Sequence, residues 1–204
     1  MTGRFVAVEG IDGAGTTTLS RRLVDALAAR GEKACWTCEP TDGPVGKLLR
    51  QVLKGTDARG GGPSPATMAL LFAADRMDHL AGTIAPALAE GAWVVSDRYY
   101  HSTLAYQGVG EDFDWIRALH RGARAPDVTL LLDVTVQTAV ERRRADAARS
   151  APELFDAPGT QAAVAERYRA LPARLAGERI IVLDGARDAD AVLLAALVAL
   201  GVAA

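Results

Sequence analysis

The chain has 204 residues, 50% of them hydrophobic and 24% charged, with a formal net charge of −2. That length suits one domain with a substantial core, and the near-neutral balance excludes an overall basic field for nucleic acid or an anionic membrane. No apolar run reaches the length of a bilayer span. A strand-like run begins at once in MTGRFVAVEG, which leaves no room for a signal peptide, and two cysteines make no disulfide framework, so a reducing cytoplasm is expected.

The elements alternate along the chain. Residues 4–9, RFVAVE, form a continuous apolar run, the pattern of a parallel strand buried on both faces. The spacing then predicts a helix over 16–31, with Leu19, Leu23 and Leu27 along one face and Gly31 as its stop. Residues 33–40, KACWTCEP, read as a second strand ended by Pro40. Cys35 and Cys38 there have redox or zinc-ligand spacing, but three residues apart on a strand they face opposite ways, and no second Cys/His pair completes a zinc site. A helix over 45–55 is closed by Gly55, and 56–65, TDARGGGPSP, is a flexible linker. Helical pattern resumes over 66–91, with Pro86 kinking or splitting it. WVVSD (93–97) and VTLLLDV (128–134) are the third and fourth strands. Helices over 135–149 and 161–177, a fifth strand over 179–185 and a last helix over 188–201 complete the chain.

Repeated strand–helix units with short buried strands predict an α/β fold, a five-stranded parallel sheet with helices on both faces. Ligands in such sheets sit beyond the carboxyl ends of the strands. Those ends carry Glu9-Gly10, Glu39-Pro40, Asp97-Arg98 and Asp133, a gathering of charge at one rim of an apolar sheet.

The loop after the first strand reads GIDGAGTTT: Gly10, Ile11, Asp12, Gly13, Ala14, Gly15, Thr16, Thr17 and Thr18. Between a buried strand and a helix N-terminus, backbone N–H groups converge on an anion, and the glycines let the backbone approach phosphate oxygens. The spacing G-x-x-x-x-G-x-T puts Thr17 where a hydroxyl would sit on Mg²⁺, but Thr16 stands where a phosphate-binding lysine is expected. A threonine offers one neutral hydrogen bond and no charge, so another cation must cover the γ-phosphate if transfer is fast.

Six stretches then resemble the thymidylate kinase family: FVAVEGIDGAGTTT, EPTDGPVGKLLR, LLFAADRMDH, DRYYHSTLAYQG, VTLLLDV and, more weakly, ERRRADAARSAPELFD. They run in family order over about residues 4–185. The resemblance implies a single P-loop kinase domain, 1–204, that phosphorylates dTMP to dTDP with ATP and Mg²⁺ for dTTP synthesis, as a cytoplasmic homodimer. By the same resemblance Phe72 stacks on thymine and Arg76 hydrogen-bonds a thymine carbonyl. Arg98 takes the dTMP phosphate, Ser102 and Thr103 read the base edge, and Tyr106, followed by Gln107, packs under the deoxyribose. Asp12 reaches the sugar 3′-hydroxyl or supports the metal, for which Thr17 and Asp97 are the candidate ligands. Glu39 resembles the carboxylate beside the acceptor phosphate, able to hold Mg²⁺, waters or an arginine; its plainer reading is a turn residue ahead of proline.

The lid segment, about 142–156, departs from the family pattern, with Leu154 where arginine is common. Basic charge comes instead from Arg142, Arg143, Arg144 and Arg149, and either Arg149 or Arg142 is the candidate to close over the ATP phosphates; the alternative is a solvated basic face. His79, His101 and His120 are expected to be structural or surface residues. The rival reading, prompted by Thr16 and Leu154, is a nucleotide-binding relative with weak or no kinase activity. A kinase acting on another nucleotide is disfavoured by Phe72, Arg76 and Tyr106 together.

Overall fold

The computed structural model describes residues 3–54, 62–145 and 158–202. Most of the predicted linker, together with Arg149 and Leu154 of the predicted lid, lies outside the described residues.

β1 (Arg4–Gly10) is buried from Phe5 onward, as a run without a polar face requires in a sheet covered on both sides. It holds the centre of a five-stranded sheet of order β2-β3-β1-β4-β5. Its neighbours are β3 (Trp93–Asp97) and β4 (Val128–Asp133), and β2 (Ala34–Cys38) and β5 (Ile180–Asp184) form the edges. Every adjacent pair is parallel, so Gly10, Cys38, Asp97 and Asp133 end on one rim. The cysteines of β2 are both unpaired thiols.

α1 (Thr16–Ala28) buries Leu19, Leu23 and Leu27 against this sheet, as the spacing predicts. α2 (Pro44–Lys54) packs on α3 (Pro65–His79), whose first turn is capped by the Ser64 hydroxyl accepting from the Thr67 N–H. The helical stretch around Pro86 is divided by a wider π turn over Leu80–Ile84 before α4 (Ala85–Ala89). A proline has no N–H to donate and crowds the carbonyl four residues back, here Gly82, and the wider turn accommodates both.

Two helices stand between β3 and β4, where the chain-order reading places no element: α5 (Tyr100–Tyr106) and α6 (Phe113–Leu119). In α5 every residue except Ser102 is buried, so it shows no amphipathic stripe for periodicity to detect. It lies between α3 and α8 (Pro158–Arg174). α7 (Val136–Ala145) and α9 (Ala189–Leu200) complete the layers, α9 capped by the Asp188 carboxylate accepting from the Asp190 and Ala191 N–H groups. Most of the buried hydrophobic residues form one connected cluster from Phe5 to Leu200. Among the described residues no helix is long and apolar enough to cross a membrane.

Candidate active site

The loop between β1 and α1 is shaped by two glycines. Gly13 has φ +91°, and a Cβ there would come 2.4 Å from the Ala139 carbonyl oxygen, so only glycine lets α7 rest on the loop. Gly15, at φ +99°, turns the chain into α1. Ile11 is buried beneath, and Thr16, also buried, opens the helix. From α7, Arg142 Nη1 donates to the Ala14 carbonyl at 3.2 Å, so one of the two predicted cations already touches the loop. The other, Arg149, lies outside the described residues. A hollow of about 300 Å³ starts at Ala14, Gly15 and Thr18 and runs between α1 and α9, with Arg22, Arg142 and Arg187 in its wall.

Thr17 and Asp97 meet at the tip of β3. The Thr17 hydroxyl donates to Asp97 Oδ2 at 2.5 Å, while Asp97 Oδ1 is buried and meets no partner among the described residues. A hydroxyl beside a buried, unsatisfied carboxylate oxygen is a hard-oxygen donor set that fits Mg²⁺, which takes one or two protein ligands and otherwise waters and substrate phosphates. A further hollow beside this pair is bordered by Thr17, Asp97 and Arg98 and by two cations of α2, Arg50 and Lys54.

The third hollow gathers all nine residues expected to bind substrate. Asp12 comes from the loop, Glu39 from the end of β2, and Phe72 and Arg76 from α3. Arg98 follows β3, and Ser102, Thr103, Tyr106 and Gln107 belong to α5 and its last turn. Pro40, Leu53 and Tyr99 complete the wall. Gln107 is 1% exposed, and its Nε2 has no partner among the described residues, an unmet donor in the lining of the hollow.

Arg98 joins the loop to this hollow. Its backbone is in the left-handed region, φ +72°, a conformation that costs a non-glycine residue about 1–3 kcal/mol and persists where the surroundings hold it. Its Nη2 donates to Asp12 Oδ1 at 2.6 Å, and Nη1 donates to the Gly10 carbonyl at 3.0 Å, Ser102 Oγ at 3.2 Å and the Tyr168 hydroxyl at 3.3 Å. Behind it Glu9, fully buried, accepts from the Tyr99 N–H, Ser102 Oγ and the Tyr168 hydroxyl. Burial pushes the Glu9 carboxyl above the usual carboxylate range, against the pull of His101 and Arg98. Gln161 of α8 donates to Asp12 Oδ2 at 3.0 Å, and the Asp12 N–H donates to the Tyr106 hydroxyl at 3.1 Å. Both Asp12 oxygens therefore have protein partners.

Glu39 is more than a turn residue. Its Oε2 accepts from Arg76 Nε at 2.9 Å and Nη2 at 2.7 Å, and its Oε1 lies 3.1 Å from His79 Nδ1. Carboxylate and guanidinium side chains are only 2% and 1% exposed, so removing either strands a buried charge. Next to Arg76 on α3, Asp75 accepts from both the N–H and the hydroxyl of Thr41. Asp75, Arg76 and His79 thus tie α3 to the segment after β2. Holding an arginine, one of the roles open for Glu39, is realised by Arg76.

None of the three histidines is at the surface. His79 bridges Glu39 and the Thr37 hydroxyl. His101 Nε2 lies 2.9 Å from Glu178, and His120 lies against Arg76. Asp133, grouped with the site by its strand-end position, pairs instead with Arg169. Sequence reasoning missed Tyr168, Gln161, Arg50, Tyr99, Arg22 and Arg187. Arg50 closes the quoted EPTDGPVGKLLR stretch and Tyr99 follows Arg98 in DRYYHSTLAYQG, so both could have been found there; Tyr168, Gln161, Arg22 and Arg187 lie outside the quoted stretches and carry no local pattern.

A glycine loop at the tip of a parallel strand, a hydroxyl–carboxylate pair at its helix N-terminus and an arginine-lined hollow alongside define a phosphate-binding-loop phosphotransferase. The model of the family described as thymidylate kinase matches residues 8–194. A thymidylate kinase of Xanthomonas oryzae pv. oryzae is 42% identical over 192 residues, 94% of this chain and 80% of its own. One from Synechococcus sp. is 42% identical over 156 residues, 72% of this chain and 74% of its own. The chain belongs to the thymidylate kinase family of nucleoside monophosphate kinases, which use ATP as phosphate donor.

Proposed function

We propose that this protein phosphorylates dTMP to dTDP with ATP and Mg²⁺, the step that feeds dTTP synthesis. The observation that carries this reading is the convergence of nine residues from five separate segments on one hollow beside the phosphate loop. No positive observation favours the rival reading of a nucleotide-binding relative without turnover.

Phosphoryl transfer of this kind needs alignment and charge stabilisation rather than a covalent intermediate. In our reading the amides of Gly13–Thr18 cradle the donor phosphates, Arg142 lies over them, and the Arg22–Arg187 end of the hollow takes the donor nucleoside. Thr17 and Asp97 hold Mg²⁺, which when bound draws charge from the donor phosphate oxygens. Phe72 and Arg76 receive the thymine, Ser102, Thr103 and Gln107 line its edge, and Tyr106 lies under the sugar. Arg98 and Asp12 stand between the two hollows, where the acceptor phosphate and the 3′-hydroxyl come to lie.

We read residues 1–204 as one kinase domain, supported by the single buried cluster that reaches from Phe5 to Leu200. The family resemblance and two free thiols support a cytoplasmic enzyme. A homodimer is supported by the resemblance and by Leu70 and Met77, seven residues apart on one face of α3 and 52% and 44% exposed.

The reading is tested by ADP release from Mg²⁺–ATP with dTMP, its ribose counterpart, dUMP, CMP and GMP as acceptors. We expect kcat/KM for dTMP to exceed that for CMP and GMP about 100-fold or more, since a site built to hydrogen-bond one base leaves groups unpaired against another. Chelation of divalent cations should stop the reaction. Comparable rates with all acceptors, or preference for another base, would refute the assignment.

A further inference from the structure

Arg76 is 1% exposed, and its guanidinium has five N–H groups to satisfy. Nε and one hydrogen of Nη2 go to Glu39, and the other Nη2 hydrogen goes to Thr103 Oγ1 at 3.1 Å. That leaves Nη1, which lies 3.1 Å from Nδ1 and 3.3 Å from Nε2 of His120. Among the described residues these contacts assign Nε, both Nη2 hydrogens and one Nη1 hydrogen, and one hydrogen on Nη1 remains for a nucleotide. Glu39 therefore grips one edge of the guanidinium, and His120 meets the other.

We propose that His120 is a positioning residue that sets how Arg76 presents its remaining N–H to the acceptor nucleotide, and so helps select the base. The inference rests on the dTMP-kinase reading. His120 ends α6 and is 7% exposed. Its ring lies nearly parallel to that of Tyr100, with centroids 5.9 Å apart. Burial, then the charges of Arg76 and His101, push its pKa down to about 3, so the imidazole is neutral and offers one acceptor nitrogen to the guanidinium. A protonated ring would set two cations together. On its far side His120 lines a separate hollow with Tyr100, Arg117, Arg121 and Glu178, so this side chain walls Arg76 off from that side of the molecule. Sequence spacing gave no hint of it: Arg76 and His120 are 44 residues apart.

The test compares isosteric pairs with and without an acceptor atom. His120→Leu should raise KM for dTMP about tenfold and narrow the preference for dTMP over CMP, with kcat and KM for ATP within about twofold, because the contact serves ground and transition state alike. His120→Asn keeps an oxygen near the position of Nδ1 and should recover most of the loss. If His120→Leu does not fold, judged by thermal unfolding, His120→Met and His120→Gln are read in the same way. The inference fails if Leu and Asn behave alike, if KM for dTMP stays within twofold, or if kcat and ATP affinity fall in parallel. An unsubstituted protein inert toward dTMP would overturn the functional reading and take this inference with it, a result distinct from active protein with indifferent variants.

Discussion

Replacing Arg98 by methionine is expected to lower kcat/KM for dTMP about 10³-fold, equivalent to about 4 kcal/mol, while the protein stays folded. Arg98 Nη1 and Nη2 have partners on both sides of the junction, Gly10 and Asp12 in the loop and Ser102 and Tyr168 by the acceptor hollow. A charge-assisted hydrogen bond accounts for about 1.5–3 kcal/mol of that loss. The rest comes from the Asp12 carboxylate, which without Arg98 faces the phosphates with only Gln161 to offset it. The double variant Arg98→Met/Asp12→Asn should therefore lose less than the sum of its single variants, in a double-mutant cycle read by steady-state kinetics. Arg98→Gly removes the same charge but relieves the φ of +72°, so it should be as inactive as methionine while melting no lower. Additive losses, or a methionine variant within tenfold of the unsubstituted enzyme, would remove Arg98 from the transfer step.

Asp97→Asn should raise the Mg²⁺ concentration for half-maximal rate about 10–100-fold and lower kcat at saturating dTMP. Among the described residues only one Asp97 carboxylate oxygen has a partner, Thr17, and the other is buried and unsatisfied. The amide keeps the shape but replaces one oxygen by a donor that cannot bind a cation. Affinity for dTMP measured by calorimetry without metal should hardly change, which separates a cation role from a general collapse of the site. An unchanged Mg²⁺ dependence would place the metal elsewhere.

What the sequence made legible follows from which physical signals are local. The apolar run Phe5–Val8 could only be a covered strand, and Leu19, Leu23 and Leu27 could only be a buried helix face, so sheet and layers were readable. The loop and the α5 segment were readable because their chemistry is contiguous. α5 itself was not seen as a helix in chain order, since burial on nearly all sides erases amphipathic period. Side chains that act across the fold left no trace. Tyr168 and Gln161 reach Arg98 and Asp12 from α8, and His79 and His120 reach Glu39 and Arg76 from positions about 40 residues away. The three histidines are all buried, each beside a polar partner from a distant part of the chain: His79 at Glu39, His101 at Glu178 and His120 at Arg76. The reading of Glu39 as a carboxylate able to hold an arginine had the right chemistry, but its partner, Arg76, had been assigned only to thymine.

The absence of a loop lysine is the remaining tension. Thr16 is buried at the start of α1, and the cations near the loop and its Thr17–Asp97 tip include Arg142, Arg98, Arg50 and Lys54. In the proposed mechanism these cations, with the loop amides, supply the charge that Thr16 does not. The most direct measurement is chromatographic detection of dTDP from dTMP and Mg²⁺–ATP under multiple turnover, with the Thr16→Lys variant in parallel. The protein bearing Thr16 is expected to convert many equivalents of dTMP per active site. Calorimetric binding of dTMP without dTDP above background, together with turnover appearing only in Thr16→Lys, would contradict it.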